Sequence, residues 1–341
     1  MELRAEPVEL ALAEEFGISR GSRTTQEVVQ LELEHDGIVG RGEASPVSYH
    51  SETTAGALDF LMETAPALMG HDPFALEAIG SRLEDVEGNA SGKAAVDAAL
   101  HDWIGRRLRM PVWRLLGLSP EAAPTSYTIG IDTIDGTRDR VRRARGFKAL
   151  KVKVGAPEDL ARLEAVRAES AAPLRVDANE GWTLELAREL MPTLVELGVE
   201  FVEQPFPADD LDSFRALQEI ALRPPVVVDE GCHDLSDVAE AAAYAEGINV
   251  KLAKSGGIRE AVRMIHAARA LGLHVMLGCM VESQLGVAPA AAIASLADWT
   301  DLDGHLLLAD EPYSGLLLVD GHVLPNEEPG FGLTAAAEIA A

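Results

Sequence analysis

Cysteine and lysine are both scarce in this chain. The few cysteines bear on its redox environment, and the few lysines make their placement informative. The 341 residues include only 2 cysteines, too few for a disulfide framework, which favours a reducing cytoplasmic location. Only 6 residues are lysines, so arginine supplies most of the positive charge. Yet Lys148, Lys151 and Lys153 stand together in one apolar segment. An ordinary need for surface charge does not explain that placement.

Net positive charge and long apolar runs are also absent. The formal net charge of −27 argues against nucleic acid and against an anionic membrane surface as partners. No apolar run approaches the ~18 residues of a membrane span. The N-terminal segment MELRAEPVEL has neither the basic start nor the apolar core of a signal peptide. We interpret the acidity as a well-solvated surface, and adaptation to salt is an open alternative.

Two patterns of hydrophobicity divide the chain. Residues 1–115 are predicted to form a small sheet followed by helices, because two extended runs flank the turn HDG and helical spacing follows them. In residues 116–312, eight short apolar runs alternate with amphipathic helices, which predicts an α/β fold with a closed (β/α)8 barrel. Residues 313–341 are predicted to pack back on the first domain. A doubly wound open sheet is the alternative, but no glycine-rich phosphate motif follows the first strand.

Charged residues end consecutive predicted barrel strands. Lys153 ends the second strand, and the next four strands end at Asp177, Glu203, Asp229 and Lys251. The intervals are 24, 26, 26 and 22 residues, each about one βα unit. Active sites in such barrels lie at the carboxyl ends of the strands, and buried charge must be paired or coordinated. The sequence therefore predicts one site that contains all five side chains.

Three of these side chains are carboxylates on neighbouring strands. Neighbouring strands are only ~4.8 Å apart, so Asp177, Glu203 and Asp229 would repel one another if they were left unpaired. A hard divalent cation relieves that repulsion, and an all-oxygen set of ligands suits Mg²⁺. We therefore predict a magnesium site. The alternative is a set of separate ion pairs with lysine or arginine.

The strand-end lysines predict proton transfer. Lys151 and Lys153 are two residues apart and so face the same side of their strand, whereas Lys251 lies four strands away in a ring of eight. Crowding and burial are expected to lower the pKa values of these lysines towards neutrality, as general base catalysis requires. One lysine could then remove a proton from a carbon and the other return it to the opposite face, which is racemisation or epimerisation. A Schiff-base aldolase is an alternative mechanism, and a simple ion pair is an alternative role for Lys251.

At these residues the chain resembles the muconate-lactonizing subgroup of the enolase superfamily. The matching motifs, in order along the chain, are KVKVG, VDANEGW, VEQP, VDEG and VKLAKSGG. The resemblance implies an enolase-like fold, in which an α+β capping domain sits on a modified (β/α)8 (TIM) barrel. It also implies proton abstraction next to a carboxylate, with Mg²⁺ as cofactor and Lys151, Lys153 and Lys251 as catalytic residues. Gly231 departs from the serine that relatives often carry beside the third metal ligand.

Within this subgroup the chain resembles dipeptide epimerases of the L-Ala-D/L-Glu type. Asp301 and Asp303, in TDLDG, match an Asp-x-Asp motif that binds the α-ammonium of the dipeptide. The alternative for this motif is a turn with a helix cap. Thr128 and Met280 are also predicted to bind the substrate.

A second substrate-binding segment is expected in the N-terminal domain. The stretch FGISRGSRTT resembles the specificity loop that closes over the site, and Arg23 matches the arginine that binds an acidic substrate side chain. The alternative is a solvated loop arginine, since Arg20 is nearby. The resemblance implies a small-molecule dipeptide as partner and a homo-oligomer as the assembly. N-acylamino acid racemase, muconate-type cycloisomerase and a non-catalytic binding descendant stay open as alternatives.

Overall fold

The N-terminal part of the chain is an antiparallel sheet. The structure is a computed structural model that describes residues 1–70 and 72–339. Its first three strands lie in the order β1-β2-β3 and span Glu2–Ile18, Gly21–His35 and Ile38–Ala44. The predicted turn between β2 and β3 is present, with Asp36 and Gly37 at φ 51° and 72°, the left-handed conformation that glycine and aspartate tolerate best.

Helices cover one face of this sheet. In chain order they are α1 (Thr54–Asp59), a π-helical segment (Phe60–Thr64), α2 (Ala65–Met69), α3 (Leu76–Glu84), α4 (Ala90–Leu108) and α5 (Val112–Leu115). Helix α4 lies directly on β3, because β3 presents two glycines to it. A Cβ added at Gly40 or Gly42 would come within 2.1 Å of a carbonyl oxygen of α4. The predicted α+β arrangement of this segment is confirmed.

Eight parallel strands form the central barrel. They are β4 (Ser126–Ile129), β5 (Ala149–Lys153), β6 (Leu174–Asp177), β7 (Val199–Glu203), β8 (Val226–Val228), β9 (Gly247–Lys251), β10 (His274–Gly278) and β11 (Trp299–Asp301). The strands follow chain order across the sheet, and an isolated parallel bridge between Thr125 and Thr300 joins its two edges. Inside the ring, Arg175 donates to Ser126 Oγ at 2.8 Å and to Thr300 O at 2.9 Å. The predicted barrel fold is confirmed.

Helices surround the barrel and fix which strand residues face inwards. They are α6 (Ile134–Arg143), α7 (Asp159–Glu169), α8 (Leu184–Glu196), α9 (Leu211–Gln218), α10 (Leu235–Ala241), α11 (Leu252–Ser255), α12 (Ile258–Ala270) and α13 (Gln284–Ile293). Side chains alternate along a strand. Leu150 and Val152 therefore belong to the apolar core between strands and helices, and Lys151 and Lys153 project into the barrel.

The C-terminal segment returns to the N-terminal sheet. It contains β12 (Tyr313–Ser314), β13 (Leu317–Val319), β14 (His322–Leu324), β15 (Thr334–Ala335) and α14 (Ala336–Ile339). Tyr313 Oη donates to Gln30 Oε1 at 3.2 Å, and Arg41 binds Glu338 at 2.6 Å. The boundaries at 115 and 312 stay predictions. No helix within the described ranges is long and apolar enough to cross a bilayer.

Candidate active site

A cavity of about 390 Å³ opens at the carboxyl ends of the barrel strands, beneath the tip of the β1–β2 hairpin. Nine of the eleven predicted site residues line it: Arg23, Thr128, Lys151, Lys153, Asp229, Lys251, Met280, Asp301 and Asp303. The other two, Asp177 and Glu203, are fully buried and bind the lysines that do line the cavity. The structure therefore brings the whole predicted set together.

Lys151 is the centre of the buried charge network. Its Nζ lies 3.0 Å from Asp177 Oδ2, 2.6 Å from Glu203 Oε2 and 2.8 Å from Asp301 Oδ2. Burial alone would lower its pKa, but these three carboxylates raise the pKa well above the ordinary value. The expectation that crowding lowers the pKa of this lysine is therefore wrong, because anions outnumber the neighbouring cations.

Lys153 and Lys251 enter the cavity from strands that are four positions apart in the sheet. Lys153 Nζ lies 2.6 Å from Asp177 Oδ2, and Lys251 Nζ lies 2.7 Å from Asp229 Oδ2. Burial lowers the pKa of Lys251, but Asp229 raises it well above the ordinary value, so the expected decrease is wrong here also. The ion pairs that the sequence left open as an alternative are thus present.

Lys254 is a member of the site to which the sequence assigned no role. It is 3% exposed, and its Nζ contacts Asp229 Oδ1 and Asp229 O at 2.5 Å, Cys232 O at 3.0 Å and Asn249 O at 3.2 Å. The short helix α11 returns Lys254 towards the strand that it follows. With Lys251 on one oxygen of Asp229 and Lys254 on the other, the orientation of this carboxylate is fixed.

The three strand-end carboxylates match Mg²⁺ in chemistry and in register. Lys153 is the pairing partner of Asp177 across β5 and β6, and Asp177 is the partner of Glu203 across β6 and β7. Glu203 Oε2 is buried, with Lys151 Nζ as an ion-pair contact at 2.6 Å, and burial and the charge of Asp177 raise the pKa of Glu203 to about 7. These are signs of an anion-rich site that a hard cation would stabilise.

In the present rotamers, the three strand-end carboxylates do not converge on one point where they could bind a metal ion. Over residues 1–70 and 72–339, no group of three or more His, Cys, Asp or Glu side chains is arranged to hold a metal ion. The reason is visible in the ion pairs, since lysine ammonium groups draw each carboxylate towards themselves. The donor set fits the cation, and side-chain rotations are needed to bring the oxygens together.

Asp303 differs from the other carboxylates of the cavity. It is 4% exposed, and its Oδ2 accepts a hydrogen bond from Thr128 N at 2.6 Å. No lysine or arginine of the described chain lies within ion-pair distance of it. Burial and the charge of Asp301 raise the pKa of Asp303 to about 7. The cavity therefore contains a carboxyl group that has no cationic partner of its own.

Arg23 is the converse case, a positively charged side chain that pairs with no carboxylate of the described residues. The specificity loop expected around it is the tip of a β-hairpin, in which Arg23 on β2 pairs with Phe16 on β1. The Arg23 guanidinium contacts Gln26 Oε1, and no aspartate or glutamate in the described ranges lies within ion-pair distance of it. Arg20, by contrast, is bound to Glu180 and Glu230. The exposed Arg23 thus presents an unpaired positive charge to the cavity.

Two family matches cover most of the chain. Residues 2–117 match the N-terminal domain of mandelate racemase / muconate lactonizing enzyme. Residues 136–339 match the family described as enolase C-terminal domain-like.

Individual relatives carry epimerase names. L-Ala-D/L-Glu epimerase of Bacteroides thetaiotaomicron is 38% identical over 96% of this chain and 86% of its own length. Hydrophobic dipeptide epimerase of a Flavobacteria bacterium is 36% identical over 93% of each protein. The crystal structure of dipeptide epimerase from Methylococcus capsulatus, complexed with Mg and L-Arg-D-Lys, has a TM-score of 0.92 and 34% identity and covers 98% of this chain and 99% of its own.

Proposed function

Because this chain belongs to the mandelate racemase / muconate lactonizing enzyme family and is an isomerase of the dipeptide epimerase type, we propose that it epimerises dipeptides that resemble Ala-Glu. The inverted carbon is the one next to the terminal carboxylate. The observation that carries the proposal is the pair of lysines, Lys153 and Lys251, which enter one cavity from opposite sides of the barrel.

In this mechanism the two lysines exchange the roles of base and acid. For one stereoisomer, Lys153 takes the α-proton, the electron pair of the broken C–H bond moves into the carboxylate, and Lys251 donates a proton to the opposite face. For the other stereoisomer the roles are reversed. The raised pKa of Lys251 suits the acid role directly. The base role requires that positive charge near the lysines increases when the reaction complex forms.

Mg²⁺ fits the proposal as the source of that charge. Asp177, Glu203 and Asp229 are the residues that would hold it, and the structural relative from Methylococcus capsulatus is described as a complex with Mg. When bound, the cation supplies positive charge that acidifies the hydrogen next to the substrate carboxylate. Lys151, buried against Asp177 and Glu203, holds these ligands in place and adds positive charge of its own.

The unpaired charges in the cavity support the choice of substrate. Asp303 is a buried carboxyl group without a cationic partner among the described residues, and it lies on the same side as Asp301, which suits the α-ammonium of a free dipeptide. Arg23, on the hairpin side, is a cation that pairs with no carboxylate of residues 1–70 or 72–339, which suits an acidic side chain. Opposite charges attract more strongly in a closed, poorly hydrated pocket than in water. Thr128 N holds Asp303, and Met280 contributes to the cavity wall.

The direct test is isotope exchange in D₂O with a set of L,L-dipeptides, followed by mass spectrometry. The wild-type protein should introduce deuterium at the α-carbon of Ala-Glu and form the epimer. Lys153→Ala and Lys251→Ala should each abolish epimerisation, and each should still exchange the α-proton of one stereoisomer only. If either alanine variant epimerises at a rate near that of the wild type, the two-base assignment is wrong.

The same set of dipeptides tests the acidic substrate. Arg23→Ala should lower kcat/KM for Ala-Glu by about 10²-fold, the typical effect of removing one partner of a charge pair that binding takes out of water, and should change kcat/KM little for a dipeptide with a neutral second residue. An equal loss on both substrates would contradict a recognition role for Arg23. A wild-type preference for N-acylated amino acids would contradict the dipeptide assignment.

A further inference from the structure

The tip of the β1–β2 hairpin is fastened to the barrel at the rim of the cavity. β1 ends at Ile18, β2 begins at Gly21, and these two residues pair with each other, so only Ser19 and Arg20 form the turn. Both turn residues contact the barrel: Ser19 Oγ donates to Asn179 O at 2.8 Å, and Arg20 Nη1 lies 3.3 Å from the same oxygen. The hairpin therefore reaches across the domain boundary through two consecutive side chains.

The barrel provides a space shaped for this tip. Gly155 follows β5 and Gly181 follows β6, and a Cβ added at either one would lie 2.8 or 3.0 Å from Ser19 Cβ. Gly155 also has a φ of +95°, which non-glycine residues rarely adopt. Ser19 thus sits where a side chain on either glycine would displace it.

Arg20 makes the strongest contacts of the tip. Its Nη2 donates to Glu230 Oε1 at 2.7 Å and its Nη1 to Glu180 Oε2 at 3.0 Å, and its guanidinium carbon lies 5.1 Å from the centre of the Tyr49 ring. Glu230 is 3% exposed, and Arg20 is its ion-pair partner among the described residues. Removing Arg20 would therefore leave the buried Glu230 carboxylate without this cationic partner, which is energetically costly.

The acceptors of Arg20 belong to two loops of the site. Asn179 and Glu180 follow Asp177 at the end of β6, and Glu230 follows Asp229 directly after β8. Arg23 lies on the other side of the hairpin, three residues from Arg20, and pairs across the strands with Phe16. The Arg20 guanidinium therefore links the segment that carries Arg23 to both of these loops, which carry strand-end carboxylates, whereas Ser19 contacts only the loop after β6.

We propose that Arg20 is a positioning residue that locks the hairpin tip, and with it Arg23, in the closed position over the cavity. The Arg20 guanidinium is already paired with Glu230 and Glu180, so Arg20 does not select the substrate. Arg23, which pairs with no carboxylate of the described residues, does. This division of roles rests on the proposed epimerase function. Without the lock, the hairpin opens, water enters, and every dipeptide is bound less tightly, whatever its second residue.

The test compares Arg20→Met with wild type by two measurements. Hydrogen–deuterium exchange of the backbone amides in residues 13–26 should become faster in Arg20→Met. In kinetic assays, KM should increase by about 10-fold, which corresponds to about 1.4 kcal/mol of binding free energy, for Ala-Glu and for a neutral dipeptide alike, because the open hairpin no longer covers either substrate. Arg20→Lys keeps the charge but loses the bidentate geometry of the guanidinium, so its KM should lie between those of Arg20→Met and the wild type.

Arg114→Met is the matched control, since Arg114 forms an exposed ion pair with Glu327 away from the cavity, and it should leave both measurements unchanged. Exchange in Arg20→Met as slow as in wild type overturns the lock, and so does a KM increase confined to Ala-Glu, which would make Arg20 a recognition residue. The exchange measurement needs no substrate. If the wild-type protein epimerises no dipeptide, the proposed function is refuted. The exchange measurement still tests whether Arg20 holds the hairpin tip on the barrel.

Discussion

Replacing Lys254 by methionine should destabilise the protein far more than the same change at Lys148. Methionine keeps the length and apolar stem of lysine but removes the ammonium group, which at position 254 binds Asp229 Oδ1 and three carbonyl oxygens. Both partners are buried, with Lys254 3% and Asp229 1% exposed. Without this ammonium, Asp229 keeps only Lys251 as a cationic partner and three buried carbonyl oxygens lose a donor, which together cost about 3–5 kcal/mol. Lys148 is instead paired with Asp320 at the surface, where a pair contributes about 0–1 kcal/mol.

These free energies translate into melting temperatures. At about 2.1 cal/mol/K per residue, a chain of this length has an unfolding entropy of about 0.7 kcal/mol/K. Lys254→Met should therefore lower Tm by about 4–7 °C and Lys148→Met by about 1 °C or less. Calorimetry of the two variants and the wild type at one pH measures both shifts. If the two variants melt within about 1 °C of each other, the ammonium of Lys254 does not hold Asp229 as described.

Three further predictions concern the metal, the substrate and pH. Exhaustive chelation should abolish epimerisation and lower Tm, and added Mg²⁺ should restore both; full activity after chelation would exclude the metal site. Asp303→Asn should lower kcat/KM by about 10²-fold for free dipeptides, whereas residual activity on N-acylated amino acids, which lack the ammonium, should change little; equal losses would contradict ammonium binding. Burial and the charge of Glu43 raise the pKa of Glu282 to about 8. The folded protein therefore keeps this carboxyl group protonated to a higher pH than the unfolded chain does, and the resulting stability, fully present below the unfolded pKa, is lost as pH rises towards about 8. The Tm of Glu282→Gln should therefore rise relative to wild type between about pH 5 and pH 8.5, and a difference independent of pH would contradict the assignment.

The strand-end positions of the site could be predicted because they follow from repetition. Each βα unit has nearly the same length, and side chains alternate along every strand, so a charge that ends one strand lies beside the charge that ends the next. The pairing of Lys153 with Asp177, and of Asp177 with Glu203, shows this register directly. The same alternation identifies Lys151 as inward-facing. Local periodicity therefore contains most of the information about this part of the site.

Other members of the site depend on contacts that have no local signal. Arg20 and Glu230 are separated by 210 residues, and only the packing of the hairpin on the barrel brings them together. Lys254 turns back towards Asp229 because the short helix α11 begins directly after β9. The sequence predicts the wrong pKa direction for Lys151 and Lys251 for a related reason, since it shows how many lysines are close together but not how many carboxylates face each one.

The balance of buried charge explains why a metal and an ammonium group are expected at separate places. Among the barrel side chains of the site, four lysines lie beside five carboxyl groups: Lys151, Lys153, Lys251 and Lys254 against Asp177, Glu203, Asp229, Asp301 and Asp303. On the hairpin side, Arg20 pairs with Glu230, and Arg23 faces the cavity. The excess of carboxyl groups over lysines affects Glu203 and Asp303, where burial raises the pKa to about 7. Glu203 lies among the carboxylates that suit a divalent cation, whereas Asp303 lies beside Thr128, where a substrate ammonium can reach it. An N-acylated amino acid brings no ammonium and would leave Asp303 protonated or unpaired, which is the physical reason to expect a preference for free dipeptides.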